Sequence, residues 1–590
     1  MWCFKLSWIG ATGKHNMEKL IFDNSNLNES YSGITTPLTF SFARRVYRNV
    51  YKEFSRVIGV NEKKIDEHEY MFQSMLSYIG CRMYYNLLNW YRLISFVPGY
   101  KYNRSFLEKM LGVSKETYYN PKHTADSGRK TLELFKLGKQ IIVVMAQFLK
   151  VSKNVNKFLE DFDVEIDKAN KVKLGKLSDK DLIDFYITHE KKFTTKWRVT
   201  IVNDLALMIT SGFARKLANK WLNDKNNIYI NGYLANIRNL ESTKPGEDFT
   251  KIVLMISENS KYLDLFQKPP ERIHSELNTN PLFNNLKRTF ELYLKNFGDR
   301  SPSELKLESM TFNNNKYFLI SLIKNQLSGN IGVKDGKRIR KAPTIDKRLN
   351  NISFLKRWIF ILLIRLTRDY IKNREAARLR RSQVFGLARR TFREFGSRFA
   401  KVGYIEHADD IFFLEVEEIL GISNGTSIIK NLQVDINKRK AEMKIWQRIN
   451  LPERVETKSV YKYQMSILAK NKFSPKKKFL YKRRFTGVTY SLGENGDIIK
   501  GKALVMKSFD PGAEYTGKIL ITTQTDPGWT PIFPGLKAII VERGGMLSHA
   551  AIVAREFGLP CISQVVGATD MITSGQNVTI DVKSGVINIS

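Results

Sequence analysis

The stretch Gly544-Gly545-Met546-Leu547-Ser548-His549-Ala550-Ala551-Ile552-Val553-Ala554-Arg555-Glu556 constrains local shape more firmly than any other part of this 590-residue chain. Two glycines permit a tight backbone path, Ser548 is a favoured helix-capping residue, and the apolar run after it continues as helix. His549 therefore stands in the first helical turn, where N–H groups without intrahelical partners can meet an anion carried beside the ring. A lone histidine among apolar residues is more often a packed structural residue. The flanking sequence has to decide between the two.

Short β-rich runs bounded by Gly, Pro or Asp surround this turn: Ala503 to Met506, Ile519 to Thr522, Ala538 to Val541, and Val578 to Val582, with Ser548 to Phe557 as helix. The chain closes as strand, turn, strand, Asn577 to Asp581 and then Val586 to Ile589. This predicts a small layered β/α module from Gly487 onward. It holds eight Lys/Arg and nine Asp/Glu, a net charge of 8 − 9 = −1, so the preceding 486 residues carry 38 + 1 = +39.

That preceding region reads as mainly helical. Thr36-Pro37 is a cap followed by a proline at the first helical position, and Val46, Tyr47, Val50, Phe54, Val57 and Ile58 then share one helical face. Similar patterns recur over Tyr70 to Phe96, Gly128 to Asn170, Lys180 to Leu222, Phe283 to Asn296, Ser353 to Lys372 and Glu375 to Val402. The fold class expected is α+β, with residues 1–16 as an N-terminal extension, 17–469 as a helical substrate domain, 470–486 as a basic linker and 487–590 as the β/α module. Lys470 to Phe485, with Pro475 and a dense Lys/Arg run, suits a linker whose like charges resist collapse.

Composition narrows the function classes. Hydrophobic residues make up 43% of the chain, ample for a sizeable core. Cys3, Cys81 and Cys561 are scattered without metal-ligand spacing, which argues against a disulfide framework or zinc site and suits a reducing, cytoplasmic setting. The longest apolar run, Trp358 to Ile364, lies between Arg357 and Arg365 and is too short to span a bilayer. Residues 1–16 lack the order of a signal peptide. Basic clusters at Lys476 to Lys478, Lys482 to Arg484 and Arg378 to Arg390 could meet phosphates, yet no helix-turn-helix, zinc-finger or RNP-type signature accompanies them, so a nucleic-acid partner is not expected.

The module resembles the mobile phosphohistidine domain of the phosphoenolpyruvate-utilising enzymes. Gly487-Val488-Thr489-Tyr490-Ser491, Lys500 to Val505, Thr525-Asp526-Pro527-Gly528-Trp529, the Gly-Gly-x-x-Ser-His-Ala-Ala core and Gly558-Leu559-Pro560 carry that resemblance in order. Leu547 departs from the Thr of many members. More diffusely, Asn28 to Thr39, Arg82 to Leu87, Glu241-Ser242, Gly298 to Leu305, Arg374-Glu375 and Asp409 to Leu414 resemble the substrate domain of the rifampicin-phosphotransferase-like branch.

The resemblance implies that His549 carries a phosphoryl group, supported by Gly544, Gly545 and Ser548, and delivers it to a hydroxyl-bearing small molecule. Arg300, Glu304 and Arg374 are the expected acceptor-site residues. No nucleotide-binding loop is present, since Gly10 to His15 lacks the phosphate-loop spacing. A separate ATP-grasp partner, holding ATP and magnesium, is therefore expected to phosphorylate His549, with no cofactor or metal bound by this chain. The competing expectation is a regulatory or scaffolding protein that keeps the phosphohistidine fold without turnover. The intact histidine turn favours the transferase, because a scaffold has no physical need of it.

Overall fold

A computed structural model describes residues 20–25, 27–96, 130–224, 227–303, 305–328, 347–429, 431–470, 483–491 and 498–590. The expected N-terminal extension, most of the basic stretch 470–486 and Glu304 lie outside the described residues. The architecture is α+β, mostly helical, with two separate sheets.

One helix organises the larger part. Phe354–Lys401 runs through 48 residues and joins the two patterns read separately as Ser353 to Lys372 and Glu375 to Val402. With no proline and a rise of about 1.5 Å per residue, such a helix reaches about 70 Å. Helices Lys130–Lys171, Arg198–Leu222 and Asp179–Lys196 pack along it, as does the 3₁₀ segment Ala408–Phe413. The pattern expected to run unbroken from Lys180 to Leu222 is interrupted at Trp197, which serves as the boundary between two helices.

Tyr70 to Phe96 departs from its expected helical reading. It contains helix Glu69–Gln73, strands Leu76–Ile79 and Arg82–Asn86, and helix Leu87–Ser95. The two strands are joined by Gly80 and Cys81, both at positive φ (52° and 56°), which is the backbone of a two-residue hairpin turn. Cys81 is an unusual occupant of that position, so the turn is invisible to residue preference. With Leu20–Asp23 and Arg454–Thr457, the strands form a four-stranded sheet that clasps the two ends of the helical region together.

The C-terminal sheet has eight strands, all from residue 484 onward. Its centre is parallel: Ile498–Val505, Ile519–Thr522, Ala538–Val541 and Cys561–Ser563 lie side by side. Antiparallel strands flank them, including Asn577–Asp581 and Val586–Ile589. Arg484–Thr486 pairs with the last of these, so the end of the stretch read as linker is an edge strand of the sheet. The four residues of Ala538–Val541 are all buried, as parallel strands covered on both faces require.

Candidate functional site: a buried histidine between module and helices

His549 opens the helix that follows the buried parallel strand Ala538–Val541. Gly544 has φ +136°, a conformation open to glycine alone, and a Cβ there would stand 2.9 Å from the Ser548 hydroxyl. Gly545 has an ordinary φ and instead accepts a turn bond from the Ser548 N–H at 3.0 Å. Ser563 Oγ donates to the Gly544 carbonyl at 2.6 Å and pins the turn to the neighbouring strand. Ser548 occupies the N-cap position, with φ −69° and ψ 157°, but makes no capping bond. Its hydroxyl is buried without a hydrogen-bond partner, and so available to a group brought in from outside.

The His549 ring is 2% exposed. Its Nε2 lies 3.3 Å from Thr530 Oγ1, whose own proton goes to the Pro527 carbonyl at 2.9 Å, and the Phe533 ring stacks obliquely at 5.9 Å. Nδ1 has no hydrogen-bond partner. Burial, then the positive charges of Arg378 and Arg300, hold the imidazole pKa well below 6.5, so the ring is neutral at pH 7. A neutral buried imidazole with a vacant nitrogen is a nucleophile rather than an ion-pair member.

The helical side supplies the charges. Arg374 donates from Nη1 to the Leu547 carbonyl at 3.2 Å and sits 3.7 Å from Asp204. One helical turn further, Arg378 pairs with the buried Glu375 at 3.4 Å, and its positive charge acts on His549. Arg300 is 2% exposed, and its positive charge also acts on His549. Desolvation raises the Asp204 carboxyl pKa against the opposing pull of Arg374, Arg378 and Arg381. Arg300 and Arg374, both expected from sequence, are thus brought together around His549. Arg378 is not among the site residues expected from sequence, although its spacing of four from Arg374 places both on one helix face. Thr530, directly after Trp529, carries no sequence signal for its place beside the ring.

Other motifs turn out to be wiring. Lys306 Nζ donates to the carbonyls of Ser32 and Ile34, while Thr36 and Thr39 donate to Glu308, so the opening motif is lashed to the segment that directly follows the Gly298 to Leu305 stretch. Thr36 spends its hydroxyl there and not on capping. Within the Arg378 to Arg390 cluster, Arg380 binds Asp163, Arg389 donates to the carbonyls of Lys306 and Leu307, and Arg390 pairs with Asp299. These side chains are engaged inside the protein. Of the other described histidines, His68 and His189 each bond a backbone carbonyl one turn earlier, and His407 caps a 3₁₀ helix.

The module is docked. Ser303 N donates to Asp526 Oδ2 at 2.7 Å, Tyr515 donates to the Leu322 carbonyl at 3.2 Å, and Ile237 N donates to Glu556 at 3.1 Å. Arg543 pairs with Glu453. Gly528 lies so close to Ser301 that a Cβ would come within 2.3 Å of its backbone. Trp529, Phe533 and Val553 share one apolar cluster with Phe249, Phe290 and Phe312.

Residues 514–585 match the model of the PEP-utilising enzyme mobile domain, and residues 200–375 match that of the rifampicin phosphotransferase fourth domain. Over these residues the chain is similar to the PEP-utilising family, with rifampicin phosphotransferases among its relatives. Its relatives include rifampicin phosphotransferase of Bacillus subtilis, 25% identical over 317 residues, which covers 50% of this chain and 34% of that protein. An uncharacterised protein of Mycobacterium tuberculosis is 25% identical over 350 residues, 59% of this chain and 36% of the relative. Probable phosphoenolpyruvate synthase of Staphylothermus marinus is 41% identical over 92 residues, 15% of this chain and 11% of the relative. The chain thus spans about a third of the length of the first two of these relatives and less of the third. Both family models fall on the surfaces that meet at His549: the second ends at Glu375, on the long helix, and the first contains the histidine turn.

Proposed function

We propose that this chain is the carrier and acceptor part of a phosphotransferase that works through a phosphohistidine at His549. The observation that carries this reading is the pairing of a neutral, partly unpartnered imidazole with three arginines across the docked surface. The similarity to phosphotransferases of the PEP-utilising family supports it.

In the first step a ring nitrogen of His549 attacks a phosphorus of ATP held by an ATP-grasp partner. The N–P bond forms as a phosphoanhydride P–O bond breaks, its oxygen leaving with the remainder of the nucleotide on the partner, where magnesium would neutralise the charge. The module then docks on the helical region as seen in the structure. There a hydroxyl of a small-molecule acceptor attacks the phosphorus, the N–P bond breaks, and Asp204 takes the hydroxyl proton. Arg300, Arg374 and Arg378 neutralise the phosphoryl oxygens as charge moves through them. The cationic wall repels a protonated imidazole and stabilises a phosphorylated one, which makes the docked geometry suited to transfer and not to storage of a charged histidine.

Mass spectrometry of the chain after incubation with ATP, magnesium and an ATP-grasp protein tests the reading. Acid-labile phosphate on His549 is the expected result. A chain that never acquires it, with a partner that is active on its own, leaves the scaffolding role in its place.

A further inference from the structure

The first turns of the long helix are apolar on two sides. Phe360 and Ile364 face the core at 1% and 9% exposure, whereas Phe354, Leu355, Trp358, Ile361 and Leu362 are 83%, 65%, 56%, 41% and 38% exposed. Their spacing puts all five on one face, opposite the buried pair. A contiguous apolar stripe of this kind on a folded surface marks a contact site, since scattered single residues would not line up.

Charge selects what the stripe fits. From Lys347 to Arg365 the sequence has five cations and no acidic residue. Arg365 is exposed within the stripe and Arg357 lies half-buried along its edge. A two-fold contact with a second copy would set these cations against their own counterparts with no acid to compensate. An anionic lipid surface meets both demands, taking the aromatic and aliphatic side chains below its headgroups and the cations among them.

We propose that this stripe is a peripheral membrane contact, in which Phe354 and Trp358 insert at the headgroup level of an anionic bilayer. The helix lies on the surface; none of the described helices is long and apolar enough to cross a membrane. This contact is independent of phosphotransfer. It would set the helix end that bears the stripe on the lipid, with Arg374 and Arg378 further along the same helix.

The full chain is pelleted with vesicles of phosphatidylcholine alone and with vesicles in which about a third of the lipid is phosphatidylglycerol. Binding to the anionic vesicles, weakened when salt is raised from about 0.1 to about 0.5 M, is the expected result. A Phe354→Ser, Trp358→Ser double variant should bind roughly tenfold more weakly or less. Both positions are exposed, so its circular dichroism and melting temperature should match the parent. Lipids brominated near the headgroup should quench a part of the tryptophan emission that Trp358→Phe removes. Failure to bind anionic vesicles overturns the proposal. So does undiminished binding by the double variant, which would put the lipid contact on another basic surface. Stripe-dependent dimerisation by light scattering, or stripe-dependent capture of the ATP-grasp protein, without lipid binding, overturns it in favour of a protein contact.

Discussion

The two surfaces that meet at His549 divide their chemistry unevenly. The module side contributes an imidazole, the hydroxyls of Ser548 and Thr530 and an apolar ring, none of them charged in the docked state. The helical side contributes Arg300, Arg374 and Arg378 with Asp204 and Glu375. On the proposed carrier reading, a module that visits two sites would leave one charge environment and enter another, so the cations that favour transfer would belong to the destination. Placed on the module, they would travel with the phosphoryl group and bias neither end.

His549→Ala tests that division most severely. It should abolish acid-labile phosphorylation and all transfer while the fold persists, because no other described histidine shares this turn; phosphate uptake by the variant in the presence of the partner would break the carrier reading. Arg378→Met should separate the two sides. Loss of one charge-stabilising donor costs about a hundredfold or more in rate, and here the fall should appear in delivery to the acceptor, with phosphorylation of His549 by the partner kept. Equal loss in both half-reactions would show that the arginine serves the fold and not the destination.

Gly528→Ala probes docking without touching the histidine. The added methyl meets the Ser301 backbone at 2.3 Å, and overpacking of this order costs about 1–3 kcal/mol. Hydrogen exchange should rise along Ser301–Ser303 and Asp526–Trp529, while His549 is still phosphorylated by the partner. An unchanged exchange pattern would mean that the two surfaces do not need this close approach.

Acid should loosen the same contact. The docked imidazole has its pKa depressed well below 6.5 by burial and by Arg378 and Arg300. Undocked, it takes up a proton near the ordinary value of about 6.5. The undocked state therefore binds more protons as pH falls through that region, so docking is intact above it and weakens progressively below it. Hydrogen exchange at Ser301–Ser303 as a function of pH should show this in the parent and lose most of it in a His549→Gln variant. The smallest effect is expected of Ser548→Ala. Its hydroxyl has no partner in the docked state, so stability should hold within about 1 kcal/mol, and a modest slowing of transfer would report its contact with the phosphoryl group.

The module was legible because its information is local. Gly544 needs a glycine-only backbone, Ala538–Val541 is a pure apolar run, and Asn577–Asp581 and Val586–Ile589 flank a turn, so residue types alone place the histidine at a strand-to-helix junction. The Gly80-Cys81 hairpin was not legible, because cysteine carries no preference for positive φ. The roles of the arginines were not legible either. Arg378, Arg380, Arg389 and Arg390 look alike in sequence, and only packing sends the first toward His549 and the others to Asp163, two carbonyls and Asp299. Sequence by itself determined the turn, its histidine and the periods of strand and helix, since these depend on neighbours along the chain. Tertiary structure alone decided which cations act on that histidine and that the ring is buried and neutral, since charge and solvent exposure depend on residues far apart in the chain, such as Arg300 and Arg378.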